Sequence, residues 1–413
     1  MKKAFLLLTL LGLLPCSMHA DNWANHREAL DVNGKGSLNN PIVISTPGQL
    51  AQLANLVNNG NSLDNKVIVL ANDIDLTAHD SNVRREWTPI GSNTNPFKGV
   101  FLGINPNQEG WEQREPYTIK GLFISKVNGR IGLFGTIRGF VGYLNIVDAD
   151  LSSPSAVISC GIVSGAINAA TCTCYEDGGT GKRFTVQGAI YAVQAEGKIT
   201  TTGRAAYTGG IVGNNGGHVV HSTAKVTIHN NNYGYSGGIA GNTSEGVIFD
   251  CAADIDLFTT ESATAAGGIT GILQSGTVEA CASTGGIHDH VVQAGGIVGR
   301  MEVKGYVRGC VSTATVDTWG GSMAGIVGKM TPGSNYSSGG STGSKIESSV
   351  FAGHLVGATN PTGGICGSIE WENKEERIVN TLVAGTRILR ADYKTIVGST
   401  KAEPVQALSN SYW

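Results

Sequence analysis

Charged and aromatic side chains are scarce in this chain of 413 residues. Only 15% are charged and only 7% are aromatic, whereas 59 residues are Gly. The glycines follow no collagen period and stand beside Ile and Val at fixed positions, so they indicate turns and tight backbone contacts in a β-rich fold. Beyond residue 20, no apolar run is long enough to cross a bilayer as a helix, so no membrane-spanning segment is expected.

An excess of basic residues is also lacking. The chain has 29 Lys and Arg against 32 Asp and Glu, a formal net charge of −3. This balance argues against a nucleic acid or an anionic membrane as partner, since either favours a basic patch. No Lys-Ser/Thr of a phosphate-binding loop follows any Gly-x-Gly-x-x-Gly match, and no cofactor is expected.

The first 20 residues have the pattern of a secretory signal peptide. Two lysines precede an apolar stretch over residues 4–14, and Ala20 supplies the small residue for cleavage. Cleavage removes both lysines, so 27 basic against 32 acidic residues give a net charge of −5. The alternative is a lipid anchor at Cys16, although Pro15 is a poor match for the small residue expected there. We therefore expect an exported protein, secreted or on the outer cell surface.

The phrase Gly-Gly-Ile-x-Gly is repeated along the second half of the chain. Copies start at residues 209, 237, 267, 295, 324 and 363, the fifth with Ala in first place, so the spacings are 28, 30, 28, 29 and 39. Short β-branched segments between Gly and Asn clusters separate the copies, which predicts stacked coils of three strands each. The predicted fold class is all-β, a right-handed parallel β-helix solenoid with an N-terminal capping helix; the hand follows the general rule for parallel crossovers. The Ile should point inward, and the Gly pair should turn a corner.

Three regions are predicted after the signal peptide. Residues 21–40 are polar and rich in Gly and Asn, and they are expected to form a loose leader. Residues 41–130 should form an N-terminal cap with the first irregular coils, and residues 131–413 the β-helix of repeats of about 29 residues.

A helix is predicted inside the cap. Thr46 is a suitable N-cap, Pro47 a suitable first residue, Gln49 completes a capping box, and Gly60 ends the helix. One face is apolar, and its residues are Leu50, Leu53, Ala54 and Val57. Such a helix would cover the open end of the first coil, which would otherwise pair with strands of other chains.

The cysteines fall into two groups. Cys251, Cys281 and Cys310 occupy nearly the same phase of consecutive repeats, so stacking places them in a column about 4.8 Å apart. We interpret this column as small buried side chains rather than disulfides. Cys172 and Cys174 lie in an insertion and are the better candidates for redox chemistry or a disulfide.

Together these motifs resemble the GLUG-motif proteins of bacteria. Besides the repeat, the resemblance rests on a lead-in and an ending, which are Thr46–Leu50, Asn72–Leu76, Trp87–Gly91, Phe97–Phe101 and Ser409–Trp413. The resemblance implies an exported, adhesin-like β-helical protein without established catalytic residues. Some members carry a zinc protease domain, but this chain has no His-Glu-x-x-His, so that activity is not implied.

Paired acidic residues are the first candidates for chemistry. Asp-x-Asp occurs at residues 73–75, 148–150 and 254–256, and residues i and i+2 of a strand share a face. Such pairs could hold Ca²⁺ or serve a polysaccharide lyase or hydrolase, but an outward polar face explains them equally well. His288 and His290, with Asp254 and Asp256, are weak candidates for a metal site that lacks an identified further ligand, so no metal is expected.

Insertions provide the second set of candidates. Residues 171–184, 331–345 and 370–377 all follow the Gly-x-Gly strand of their repeat, so they should leave the rod at one corner. They carry the candidate binding residues Tyr175, Tyr336 and Trp371, while Trp111 lies in a separate loop near the cap. The alternative is length variation at a tolerant corner, with the aromatic rings packed on the coil.

The sequence thus favours a non-enzymatic surface protein that binds glycans or host or bacterial surface proteins through loops on a β-helix rod. A carbohydrate-active enzyme using Asp pairs and a structural spacer are the alternatives. Several carboxylates and a Lys or Arg converging in one cleft would favour the enzyme.

Overall fold

The computed structural model describes residues 21–77, 84–153, 157–169, 171–175, 183–201, 205–230, 233–331, 343–357, 361–370, 377–384, 396–400, 408–409 and 411. The predicted signal peptide and Cys16 lie outside these residues. The fold is an all-β parallel solenoid of about ten turns with few helices. Its hand remains a prediction.

Each regular coil contributes four strands to three sheets, as the coil formed by Tyr235–Gly237, Ala240–Ser244, Val247–Phe249 and Ala252–Ala263 illustrates. We call these the glycine wall, the middle wall, the short-strand wall and the long-strand wall. The sequence predicted three strands per coil. The difference arises because Gly-Gly-Ile-x-Gly is not one strand: its Gly-Ile centre is the corner between the first two walls.

The glycine wall is an eight-stranded sheet of Gly129–Ile131, Val157–Gly161, Ala205–Gly209, Tyr235–Gly237, Ala265–Gly267, Gln293–Gly295, Ser322–Ala324 and Thr362–Gly363. The middle wall is a nine-stranded sheet of Phe134–Ile137, Ser164–Asn168, Val212–Gly216, Ala240–Ser244, Thr270–Gln274, Val298–Met301, Val327–Met330, Cys366–Ile369 and Val397–Thr400. Neighbouring strands in both walls are parallel.

The short-strand and long-strand walls together form one sheet of 23 strands. These are Ile42–Ile44, Val67–Leu70, Ile74–Asp75, Val100–Leu102, Thr118–Lys120, Phe123–Ile124, Phe140–Ser153, Ala189–Thr201, His218–Val220, Thr223–Asn230, Val247–Phe249, Ala252–Ala263, Thr277–Glu279, Ala282–Val291, Tyr306–Arg308, Val311–Ser312, Thr315–Thr318, Lys345–Glu347, Val350–Phe351, His354–Gly357, Arg377–Val379, Leu382–Val383 and Leu408–Ser409. An antiparallel hairpin of Thr171–Tyr175 and Arg183–Gln187 leaves the rod separately.

The interior is narrow where the Gly pair turns. A Cβ on Gly238, the second glycine of its copy, would overlap the carbonyl oxygen of Gly268 and lie 2.6 Å from the Cβ of Ala253 on the long-strand wall. In the next coil, a Cβ on Gly268 would lie 2.7 Å from the Cβ of Ser283. Glycine on one wall therefore faces a small side chain on the opposite wall. The Ile of each copy is fully buried, as predicted; these are Ile211, Ile239, Ile269, Ile297, Ile326 and Ile365.

A single left-handed residue connects each short strand to the following long strand. His221, Asp250 and Ala280 have φ values of 49°, 50° and 54°. The next residue points inward, which confirms the predicted column: Ser222, Cys251, Cys281, Cys310 and Ser349 are all buried. Each thiol donates to the carbonyl two residues earlier, for example Cys281 Sγ to Glu279 O at 3.2 Å, so the column is satisfied without disulfides.

The capping helix spans Pro47–Asn58, as predicted, but the Gln49 side chain of the expected capping box reaches the amide one residue before the N-cap. Thr46 Oγ1 accepts from the Gln49 amide at 3.1 Å, and Gln49 Oε1 accepts from the Ser45 amide at 2.8 Å. Gly60, with φ of +98°, follows the helix end. The predicted apolar face is buried in the core, so the helix covers the interior of the first coils.

Residues 21–40 differ from the loose leader that the sequence predicted. Trp23, in a 3₁₀ turn over Trp23–Asn25, is buried and donates from Nε1 to Leu76 O at 3.2 Å. Asp21 forms an ion pair with Arg85 at 3.1 Å. Two apolar surfaces hold this segment. Trp23 packs in the main core. Leu38 packs against a second cluster on the outside of the first coils, formed by Val67, Val69, Val100, Leu102 and Ile104. Strands that are apolar on both faces need an outer cover.

We predict that Gly238→Ala destabilises the solenoid by about 1–3 kcal/mol, because the added methyl overlaps two opposing groups. Urea unfolding followed by circular dichroism measures the change. Gly34→Asn is the matched control, since nothing lies within 4 Å of its added Cβ and Asn tolerates its φ of +66°. Equal stability of the two variants would contradict the narrow-interior argument.

We also predict that five thiols resist alkylation in the folded protein at pH 8. Burial raises the pKa of Cys160 and Cys366 to about 12. The pKa of Cys281 is raised chiefly by the neighbouring Cys251 thiol and also by burial. The pKa of Cys310 is raised chiefly by the neighbouring Cys281 thiol and also by burial. Cys251 is equally buried. Iodoacetamide labelling with peptide mass spectrometry should modify all five only after denaturation. If the five thiols of the folded protein reacted as fast as the free amino acid cysteine, the prediction that they are buried would be wrong.

Candidate functional site

The outward face of the long-strand wall carries charged side chains in rows that run along the rod. The strands pair in register, so Glu196 lies beside Lys225, which lies beside Asp254. In the next row Lys198 lies beside Thr227, which lies beside Asp256. Inward residues between them, such as Ile199 and Ile255, are buried in the core. Period-two alternation thus places every charge on the surface.

The first coils supply further charges to this face. Asp150 pairs with Lys198 in register, and Arg84 Nη1 lies 2.7 Å from Asp150 Oδ2. Arg84 also donates from Nη2 to Asp148 O at 3.2 Å. Lys120 Nζ lies 3.7 Å from Asp148 Oδ2. These contacts neutralise both carboxylates of the 148–150 pair.

The charged side chains at the centre of this face form fewer ion pairs. Asp254 accepts from Thr284 Oγ1 at 3.0 Å. Among the residues that the structure describes, Glu196, Lys198 and Lys225 have no ion-pair partner within 4.0 Å. All three side chains are exposed. They can therefore exchange water for a ligand without breaking an internal ion pair.

These rows line two adjoining depressions of about 430 Å³ each. Glu196, Lys225 and Asp254 line both, so the depressions form one continuous channel, which we call the charged groove. The first depression extends across six successive coils, which contribute in register Thr118, Asn145, Gln194, Thr223, Ala252 and Ala282. The charged groove is therefore an open trough running parallel to the rod axis.

An aromatic ladder lies on the short-strand wall immediately before the groove. The ring centroids of Phe140 and Tyr191 are 6.3 Å apart, those of Tyr191 and His221 5.2 Å, and those of His221 and Phe249 5.9 Å. His221 Nδ1 also lies 2.6 Å from Asp250 Oδ2. Apart from the exposed His221, the ladder is half-buried. None of its rings lines the two depressions, so it is a separate aromatic strip on the neighbouring wall.

The weak metal candidates do not meet at one point. His288 Nε2 lies 3.2 Å from Asp256 Oδ1, and its ring stacks on Phe258 with centroids 4.9 Å apart. Phe258 in turn stacks on His229 at 5.0 Å. Asp254 is bonded to Thr284, and His290 contributes its backbone carbonyl to Thr259 at 3.0 Å. Within the described ranges, no three His, Cys, Asp or Glu side chains form a group that could hold a metal ion.

The predicted loop corner is supported by the strands that precede the loops. Ser164–Asn168, Val327–Met330 and Cys366–Ile369 all belong to the middle wall, and Met330 pairs with Ile369 in register. Tyr175 ends a strand of the antiparallel hairpin, but its side chain, Tyr336 and Trp371 lie outside the described residues. The backbone of Trp111 forms a 3₁₀ turn over Trp111–Gln113, and its side chain is likewise outside them. Their binding roles remain predictions.

The Asp pairs of the groove were recognised from the sequence, but Glu196, Lys198, Lys225 and Arg84 were not. A signal existed for three of them. Glu196, Lys225 and Asp254 are spaced by one repeat, and so are Lys198, Thr227 and Asp256. Charged residues that recur at the repeat period must lie side by side on a stacked coil. Arg84 belongs to an irregular coil, where no period applies.

Comparisons with known proteins find only partial or distant similarity to this chain. No family model matches it, so the GLUG resemblance stays a prediction. A curated protein of Evansella cellulosilytica named "Putative Gly-rich membrane protein" is 32% identical over 135 residues, which cover 32% of this chain and 14% of that protein. The chain therefore matches only a small part of this relative. In the described part of the chain, no helix is long and apolar enough to span a membrane.

A solved structure offers a further likeness. It is that of a "putative immunoglobulin A1 protease" from Bacteroides ovatus, with a TM-score of 0.49 and 19% identity, covering 71% of this chain and 82% of that one. The likeness is too low to transfer any activity.

Proposed function

We propose that the protein is an exported β-solenoid that binds a neutral polysaccharide lengthwise in the charged groove. The carrying observation is the repetition of acceptors and donors along the groove at the spacing of the coils. Neighbouring coils are about 4.8 Å apart, which is close to the length of one pyranose ring. Successive sugar units can therefore meet equivalent positions of successive coils.

The charge pattern supports a neutral rather than an ionic ligand. The face carries the carboxylates of Asp148, Asp150, Glu196, Asp254 and Asp256, and the cations of Arg84, Lys120, Lys198 and Lys225. Five negative and four positive charges leave no strong field of either sign. Sugar hydroxyls donate to carboxylates and accept from ammonium groups, so an uncharged polyol satisfies both.

The aromatic ladder supports the same ligand class. Sugar rings have apolar C–H faces that pack on aromatic side chains. Tyr191 and Phe249 lie two coils apart. Each precedes by three positions a residue that lines the groove, which is Gln194 for Tyr191 and Ala252 for Phe249. This surface is different from the loop corner that the sequence favoured. The loops with Tyr175, Tyr336 and Trp371 remain a separate hypothesis for a protein partner.

The binding proposal predicts that residues 21–413 are retarded in native gels containing the matching polysaccharide from a neutral panel of xylans, glucans, galactans and arabinans. Lys225→Gln and Glu196→Gln should each weaken binding about tenfold, because a hydrogen bond to a charged group contributes about 1.5–3 kcal/mol. Titration calorimetry with oligosaccharides of the retarding polymer measures the loss.

Lys345→Gln is the matched control, since Lys345 lies on the short-strand wall outside the groove. It should bind as the unmodified protein does. Retardation that is unchanged in both groove variants would place the binding surface elsewhere, and no retardation by any neutral polymer would refute the proposal.

Cleavage of the polysaccharide is the second candidate, and one observation favours it. Glu196 and Asp254 flank Lys225 in a single row, so carboxylates and a cation converge in one groove. Paired carboxylates are the usual catalytic groups of glycoside hydrolysis. Carboxylates and a cation in one groove are the arrangement expected of a carbohydrate-active enzyme rather than of a binding protein.

If the protein cleaves its ligand, new reducing ends or unsaturated products should accumulate with time. Asp254→Asn should then abolish the release of these products, while calorimetry should show that the variant retains most of its affinity for the polysaccharide. Asp317→Asn is the control, because Asp317 is a half-buried carboxylate of the same wall outside the groove. Ligand that is bound but recovered intact would reject cleavage and leave the binding role standing.

A further inference from the structure

A separate depression of about 480 Å³ lies at the N-terminal end of the rod, away from the charged groove. It is formed by residues 88–95 after the cap and by residues 127–130, which begin the glycine wall. Asn58, at the end of the capping helix, holds the first segment by accepting from the Gly91 amide at 2.9 Å and donating to Pro89 O at 3.0 Å. The depression therefore has a fixed wall.

Arg130 is the charged group of this depression. Its Nη1 donates to Asn93 Oδ1 at 3.0 Å and to Thr136 Oγ1 at 2.9 Å, which directs the guanidinium. Its remaining three N–H donors, on Nη2 and Nε, have no acceptor among the described residues. The side chain is half-buried, and none of its nitrogens is a fully buried unsatisfied atom, so these donors face the open depression and are accessible to a ligand.

No carboxylate compensates this cation. Within the described ranges, no Asp or Glu oxygen lies within 4.0 Å of Arg130. Burial lowers the pKa of Arg130, and the nearby Arg138 lowers it further. A partly desolvated guanidinium costs free energy unless an anion pairs with it. An anionic ligand in the depression would offset this cost, and a perturbed titratable group in a cleft is a candidate functional site.

The remaining lining indicates what accompanies the anion. It is rich in short hydroxyl and amide side chains, which are Thr88, Ser92, Thr94, Asn95 and Asn128. Pro89, Val127 and the strongly exposed Ile158 add a small apolar rim. Hydroxyls and amides suit a polyol, and the apolar rim suits the C–H face of a sugar ring.

From this geometry we infer that the depression around Arg130 binds the carboxylate of an acidic sugar, with its hydroxyls on the surrounding Thr, Ser and Asn side chains. The guanidinium presents two parallel N–H donors in the geometry that a planar carboxylate accepts. This site is independent of the charged groove, and it would recognise a uronic-acid unit at a chain end or branch.

The test is a titration of residues 21–413 with D-glucuronate, monitored by nuclear magnetic resonance or calorimetry. D-glucose and inorganic sulfate are the comparison ligands. Glucuronate should bind saturably and at least tenfold more tightly than either. Arg130→Gln should reduce the affinity at least tenfold. Arg130→Lys should also lose most of the affinity for glucuronate, since Lys retains the positive charge but lacks the paired, planar N–H donors of the guanidinium.

Arg114→Gln is the matched control, an exposed arginine outside the depression, and it should bind glucuronate normally. Lys225→Gln should also leave glucuronate binding intact. A negative result for polysaccharide binding in the charged groove can therefore be distinguished from a negative result for glucuronate binding at Arg130. No saturable glucuronate binding, equal binding of sulfate, or full affinity in Arg130→Gln would each overturn the inference.

Discussion

The contact between a corner glycine and a small side chain of the long-strand wall sets the width of the regular coils. Gly238 faces Ala253 and Gly268 faces Ser283, at distances that leave no room for a Cβ. Where a large residue, Phe351, takes the place of the Ala or Ser, its ring lies directly against Gly325. Because the interior is narrow, equivalent residues of successive coils occupy the same position around the rod. The strands of successive coils therefore pair in register.

Register converts a repeating sequence into surface rows. Glu196, Lys225 and Asp254 are far apart in the chain, yet each pairs with the next across one coil step. The left-handed corner contributes as well, because residues such as Asp250 place the aromatic ladder and the charged rows on either side of one bend. The candidate site is therefore a property of stacking and does not depend on any one loop.

Much of the fold could be predicted because it depends on local signals. The Gly-Gly-Ile-x-Gly copies, the Thr46 cap and the cysteine column each have a short-range cause, and the structure contains all three. The anchored leader and the Arg130 depression could not be predicted, because both depend on irregular segments that meet only in three dimensions. The four-strand coil was missed because a Gly-rich phrase does not reveal which of its residues form the corner.

The capped solenoid also has an evolutionary consequence. Since the helix Pro47–Asn58 closes the first coils, duplication of a coil inside the regular region would leave that end intact. Each added coil would lengthen the trough by one step and bring one more set of outward side chains beside the last. The length of polymer that such a protein can engage would then be a heritable trait set by gene-segment copy number, adjustable without altering any existing contact.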